Sequence, residues 1–280
     1  MAAMARRWLV TGCSTGLGRA LVERLAQAGE RVVATARRPE TLADLAERYP
    51  DTVLTLALDV CDPVACAAVV TAAARRFGGV DVLVNNAGYG QCGAVEEVSD
   101  GELAAQFATN VYGPWRLARL VLPLWRAQGG GHAVFVSSIA GMVPFPGLAA
   151  YTASKFALEG LAESLAQESA HLGVKVTIVQ PGGFSTLYGE SAAMPRRRVG
   201  AYEQVEGPMI EGLRAMRGNP ELNPPELFAE AVHRLVGLAE PPLRLPVGED
   251  AGQFLTMALA ARTKEFEDVT AARLHVAAAA

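Results

Sequence analysis

Short apolar runs alternate with longer stretches of helical spacing along this chain. Residues 8–11, 31–35, 53–58, 80–84, 133–136 and 174–179 are aliphatic or β-branched and bounded by glycine or polar residues, which predicts short buried strands. Residues 17–28, 41–48, 63–77, 100–127 and 149–172 carry their apolar positions at the helical period. Residues 225–238 read as a further helix, 244–247 as a seventh strand, and 253 to about 274 as a last helix. The terminal 277–280 is expected to fray. Regular strand–helix alternation implies a parallel sheet with helices on both faces.

No internal repeat and no Pro/Ser-rich linker divides the sequence, so residues 1–280 read as one domain. Residues 185–224 break the pattern with glycines, prolines, three methionines and the run Arg196-Arg197-Arg198. Irregular segments of that length within compact domains are functional lids or disordered inserts. We read this one as a substrate lid, with the insert as the alternative. The arginine run is expected to be solvated, or else to attract an acidic substrate tail.

A hydrophobic content of 51% and a charged content of 19% exclude a disordered chain. A net charge of −4 lacks the basic excess of a nucleic-acid binder. Cys13, Cys61, Cys66 and Cys92 form no C-x-x-C pair, so no metal site and a reducing, cytoplasmic setting are expected. The first residues lack a long apolar core for export. No apolar stretch approaches the roughly 20 residues that span a bilayer, so no membrane partner is expected.

Thr11-Gly12-Cys13-Ser14-Thr15-Gly16-Leu17-Gly18 joins the first predicted strand to the first predicted helix. Glycines there permit a tight turn and close backbone approach, and the helix N-terminus receives a pyrophosphate. Cys13 reads as a small packing residue within it. The second strand ends Ala36-Arg37-Arg38 without the acid that binds the adenosine ribose of NAD. Guanidinium pairs bidentately with phosphate, so the 2′-phosphate of NADP fits better, with Arg37 preferred to Arg38.

Tyr151 and Lys155 stand at i and i+4, one face of a helix. A neighbouring ammonium favours the phenolate and lowers a tyrosine pKa from about 10, which suits proton transfer. Ser137 and Ser138 end the fifth predicted strand, at the sheet edge where α/β proteins bind ligands. Asn85-Asn86-Ala87-Gly88 ends the fourth. Asn110 is a polar residue within a predicted helix, placed to bend it or to hold a water. Asp59 closes the third strand and either reaches a purine or caps the next turn.

Taken together, TGCSTGLG at 11–18, NNAG at 85–88, Asn110, Ser138 and Tyr-x-x-x-Lys at 151–155 resemble the short-chain dehydrogenase/reductase family. The resemblance runs from about Trp8 to Thr186 and loosely through 243–247. It implies an α/β, Rossmann-like, doubly wound sheet of seven parallel strands in the order 3-2-1-4-5-6-7, with helices on both faces. It implies hydride exchange between NADP(H), or NAD(H) as the lesser possibility, and a carbonyl or alcohol carbon. Tyr151 would be the acid–base group. Lys155 would hold the nicotinamide ribose and lower the Tyr151 pKa, Ser138 would orient the carbonyl, and Asn110 would hold a relay water. Gly12, Ser14, Thr15, Gly16, Leu17, Gly18, Arg37, Asp59, Asn86, Ala87, Gly88, Tyr151, Lys155, Pro181, Gly182 and Thr186 would contact the coenzyme.

The stretches 11–14 and 154–166 are similar to the hydroxysteroid and retinol dehydrogenase branch. Residues 90–93, 142–145, Phe184, Tyr188, Met194 and Met209 are expected to wall an apolar pocket for a hydrophobic carbonyl compound, with core packing as the alternative. An epimerase or dehydratase on the same fold, and a non-catalytic NADPH-sensing regulator, are the competing readings. A homodimer or homotetramer is expected through the helices at 100–127 and 149–172.

Overall fold

The computed structural model describes residues 5–272. The expectations for residues 273–280 lie outside them. Seven parallel strands form one sheet: β1 (Arg7–Val10), β2 (Arg31–Ala36), β3 (Val53–Ala57), β4 (Val82–Asn85), β5 (Gly131–Val136), β6 (Val174–Pro181) and β7 (Arg244–Val247). Their order is β3-β2-β1-β4-β5-β6-β7, as the resemblance implied. The helices are α1 (Gly16–Gln27), α2 (Ala43–Arg48), α3 (Pro63–Phe77), α4 (Asp100–Phe107), α5 (Gly113–Gln128), α6 (Ala149–Ser169), α7 (Tyr188–Ser191), α8 (Glu203–Arg214), α9 (Pro225–Val236) and α10 (Glu249–Ala271).

Alternation along each strand divides the core into two layers. In β1, Trp8 and Val10 pack into a layer with Leu21, Leu25, Phe228 and Val232 of α1 and α9. Leu9, between them, packs into the opposite layer with Val69, Leu117 and Leu158 of α3, α5 and α6. Period-two side chains thus make a strand near-continuously apolar when both faces are covered. Each large aliphatic side chain so buried contributes about 1.5–3 kcal/mol.

Local signals set several helix ends. Asp62 caps α3 by accepting from Val64 and Ala65 N–H at 2.8 and 3.2 Å, with Pro63 in the first turn. Ser99 and Glu102 form a reciprocal capping box on α4.

One expectation changes and one alternative falls away. The single helix over 100–127 is interrupted by a π-helical turn, Ala108–Tyr112, before α5 begins. An extra residue in that turn resets the helix register where Asn110 is buried. Segment 185–224 is not a disordered insert, because α7, a 3₁₀ turn at Gly200–Tyr202 and α8 occupy much of it. Among the described residues no helix is long and apolar enough to cross a membrane.

Candidate active site

Four strand exits meet at one edge of the sheet. The glycine loop follows β1, residues 86–93 follow β4, Ser137 and Ser138 follow β5, and Gly182–Thr186 follow β6. The glycine loop is held by its neighbour across the sheet. Thr11 Oγ1 accepts from the Asn86 and Ala87 N–H groups, both at 3.0 Å. Asn86 Nδ2 donates to the Thr11 and Gly12 carbonyls at 2.8 and 3.0 Å. The amide of Asn86 therefore braces the loop, and its expected contact with adenosine is not what its hydrogen bonds serve.

Gly18 starts close packing of α1 on this brace: a Cβ there would collide with Asn86 Nδ2 and the Gly12 carbonyl oxygen. The first turn of α1 has no acidic residue, and Thr15 at its N-cap makes no side-chain capping bond. Its N–H groups suit a bound anion. A cavity of about 260 Å³ opens beside Gly16, Ser185, Thr186 and Leu187. Cys13 is fully buried, and burial pushes its thiol up to about 12, as a packing role requires.

Arg37 and Arg38 are exposed at the exit of β2, and among the described residues neither guanidinium makes an ion pair or side-chain hydrogen bond. Arg19, by contrast, is committed to Glu23, Asp44 and the Thr41 carbonyl. Asp59 is exposed and accepts from Cys61 N–H at 2.9 Å, so the turn-capping alternative describes its bond. Pro181 ends β6 rather than lying in a loop.

Tyr151 and Lys155 lie on one face of α6, both buried. Lys155 Nζ sits 5.6 Å from the Tyr151 ring centroid and donates to the Val136 carbonyl at 2.8 Å. Burial lowers the lysine pKa to about 8, while nearby Glu159 partly opposes that shift. Burial rather than Lys155 sets the direction of the shift at Tyr151. Burial raises the phenol, and the hydroxyls of Tyr188 and Ser138 beside it pull the other way.

Ser138 is half-buried and caps a short 3₁₀ turn by accepting from Ala140 N–H at 3.1 Å. Ser137 turns away and donates to Glu159 at 2.8 Å. Asn110 is occupied on both sides of its amide: Oδ1 accepts from Tyr89 N–H at 3.3 Å, and Nδ2 donates to the Tyr89 carbonyl and Ser154 Oγ at 3.0 and 3.1 Å.

Glu159 is a residue that motif reading missed. It is buried one turn beyond Lys155 and accepts from Ser137, from Gln180 at 2.9 and 3.1 Å, and from Arg244 at 3.3 Å. The only sequence signal was its i+4 place on the face already carrying Tyr151 and Lys155. Arg198 is exposed, as the sequence reading preferred, yet it lies 3.5 Å from Glu97 and 3.1 Å from Glu206, two buried carboxylates, so it is paired rather than free for an acidic tail. Burial and the neighbouring Glu97 raise the Glu206 pKa.

The expected pocket walls divide. Phe184 is core, packed edge-on to Phe228 at 6.4 Å. Met194 is exposed. Cys92, Phe145, Tyr188 and Met209 do pack around Tyr151. Burial raises the Cys92 thiol. Backbone bonds draw segment 185–224 over this cluster: Cys92 N–H to Ala193 and Ala193 N–H to Gly90, each at 2.8 Å. An apolar groove of about 400 Å³ runs between Pro146 and Val205, Pro208, Met209 and Leu213 of α8.

The profile of the short chain dehydrogenase family matches residues 6–195. An oxidoreductase of Botryotinia fuckeliana is 38% identical over 90% of this chain and 92% of its own. Retinol dehydrogenase 8 of Bos taurus is 33% identical over 87% of this chain and 82% of its own. The crystal structure of a short-chain dehydrogenase from Streptomyces avermitilis superposes with a TM-score of 0.91 at 40% identity, covering 99% of this chain and 100% of that one. A Burkholderia phymatum short chain dehydrogenase/reductase in complex with NAD gives 0.78 at 25% identity, covering 95% of this chain and 94% of that one. The protein belongs to the short-chain dehydrogenase family and is an oxidoreductase of alcohol and carbonyl groups.

Proposed function

We propose that the protein is an NADP(H)-preferring oxidoreductase that interconverts a hydrophobic ketone or aldehyde with its alcohol. The observation that carries this reading is the buried Tyr151–Lys155 pair beside Ser138, at the sheet edge where the glycine loop also opens. The residues fit a nicotinamide dinucleotide: a braced glycine loop, an uncapped helix N-terminus, and two uncommitted guanidiniums where the ribose phosphate would lie. Bound there, the coenzyme supplies or accepts the hydride.

The chain's own groups manage the oxygen. Ser138 Oγ orients the carbonyl. Tyr151 donates its proton to the oxygen as the alcohol forms, and takes it back in oxidation. Tyr151 enters reduction protonated, and the Ser138 and Tyr188 hydroxyls beside it favour the phenolate that proton donation leaves. Lys155, fixed by the Val136 carbonyl, places a cation beside the phenol and the coenzyme ribose. Gly12, Ser14, Thr15, Gly16, Leu17 and Gly18 line the pyrophosphate side, with Asn86, Ala87, Gly88, Pro181, Gly182 and Thr186 around them. Segment 185–224 acts as the lid of a single nucleotide-binding domain and excludes water. The apolar groove along α8 favours a hydrophobic substrate.

Exposed Tyr112, Trp115 and Phe156 on the π-turn, α5 and α6 support assembly as a homodimer or homotetramer. Four free cysteines support a reducing, cytoplasmic setting.

The test titrates NADPH and NADH separately, then measures ketone reduction. NADPH should bind at least tenfold tighter, and Arg37→Ala should remove most of that difference. Tyr151→Phe should lose about 10²–10⁴ in kcat while still binding NADPH. Preference for NADH would overturn the phosphate clamp, and failure to bind either coenzyme would overturn the whole reading.

A further inference from the structure

Tyr188 presents an anomaly beside the catalytic phenol. Its hydroxyl is buried and has no hydrogen-bond partner. Its ring lies 5.8 Å from that of Tyr151, tilted by 53°. The two hydroxyls lie side by side and affect each other's acidity, without a well-formed hydrogen bond between them. The backbone around Tyr188 is fixed: its N–H donates to Thr186 Oγ1 at 3.2 Å, and its carbonyl accepts from Ser191 Oγ at 2.8 Å. Only the hydroxyl is left over.

Apart from the Tyr151 hydroxyl, which serves the reacting oxygen, the surroundings give it nothing to bond. Cys92, Ala140, Leu148, Phe145, Ala192 and Leu213 make an apolar collar around both phenols. At Gly90 the backbone makes room, since a Cβ there would collide with the Tyr188 hydroxyl. A buried hydroxyl without a partner destabilises the fold. A phenylalanine would fill the same volume without that penalty. Such defects mark sites where something else completes the bond.

The reacting carbonyl does not complete it. A carbonyl oxygen has two lone pairs, and Ser138 and Tyr151 are the two donors assigned to them. Tyr188 needs another oxygen. We propose that the Tyr188 hydroxyl recognises a second oxygen on the substrate, so that preferred substrates are ketones bearing a neighbouring carbonyl, ester or hydroxyl group. This rests on the oxidoreductase reading above and narrows its substrate class. Tyr188 is then a specificity residue, separate from the proton transfer at Tyr151.

The test uses Tyr188→Phe, which keeps the ring and its packing. Two probes are compared with NADPH: a medium-chain vicinal diketone and the methyl ketone of the same length. The diketone is the more electrophilic, so the readout is the ratio of the two kcat/KM values. In Tyr188→Phe that ratio should fall about tenfold or more, through the diketone alone. The melting temperature of the free protein should stay level or rise, because an unpartnered hydroxyl has been removed. Equal losses on both ketones, or a lowered melting temperature, would overturn the proposal, since the hydroxyl would then serve the reacting oxygen or the fold. Turnover of neither ketone, by wild type, with either coenzyme would overturn the reductase reading, and this proposal with it.

Discussion

The glycine-loop side of the site and the side under segment 185–224 are completed to different degrees. At the glycine loop, Thr11 Oγ1 takes two backbone donors and the Asn86 amide takes two carbonyls. Under segment 185–224, the Tyr188 hydroxyl has no partner, and two buried carboxylates crowd one partly exposed arginine. The first region is a finished cradle for a ligand whose shape is fixed. The second holds groups whose energetics depend on what binds or how the segment sits. On the proposed function, coenzyme and substrate recognition would lie on separable pieces of chain, and substitutions should divide accordingly.

The largest effect should come from breaking the cradle. Gly18→Ala drives a methyl into Asn86 and the Gly12 carbonyl. Overpacking of this kind costs about 1–3 kcal/mol. NADPH binding should weaken by up to roughly 100-fold, with a lower melting temperature; fluorescence titration checks the first and thermal unfolding the second. Unchanged coenzyme affinity would mean that the cradle adapts and the contrast between the regions is false.

A smaller effect should follow on the other side. Arg198→Ala leaves Glu97 and Glu206 facing each other without a cation. Since Arg198 is itself half-exposed, the loss is up to about 1 kcal/mol. The ketone KM should rise roughly three- to fivefold while the NADPH Kd stays constant. Equal shifts in both constants, measured by steady-state kinetics and titration, would show that the two regions are coupled.

The smallest effect lies on the border between them, at Lys155. Burial sets its folded pKa at about 8, against 10.5 for a free lysine. The folded chain thus holds this proton more weakly than the unfolded chain does. The fold is penalised increasingly as pH falls from 10.5 to about 8, and by a constant amount below. Lys155→Met removes that penalty but also the bond to the Val136 carbonyl, so the melting temperature at neutral pH should rise by only roughly 2–4 °C, a gain that is lost as pH approaches 10.5. A pH-independent difference would mean that the ammonium is not desolvated in solution.

What could be read from the sequence was what is local. The glycine loop, the strand–helix alternation and the Tyr151–Lys155 spacing depend on residues a few positions apart, and the periodicity of strands and helices exposes them. Bonds across the fold left no such trace. Arg244 meets Glu159 and Arg198 meets Glu97 from distant parts of the chain, and no short pattern distinguishes those charges from solvated ones. The π-turn at Asn110 escaped because one added residue barely disturbs an apolar repeat over 100–127. Phe184 was read as a pocket wall because it follows β6, where the chain turns inward to Phe228 instead.

The strand order has a consequence for synthesis. β1 pairs with β2 on one side and with β4 on the other, Trp8 lying opposite Val82. A chain emerging from the ribosome can assemble β1, β2 and β3 with α1 at once, but the inner edge of β1 stays open until β4 arrives. That edge carries unpaired amide groups along an apolar strand, the kind of surface that recruits a second unfinished chain. Among the strands paired on both sides, β1 thus waits longest for its second neighbour, and nascent chains halted before residue 82 are the form of this protein most in need of a chaperone.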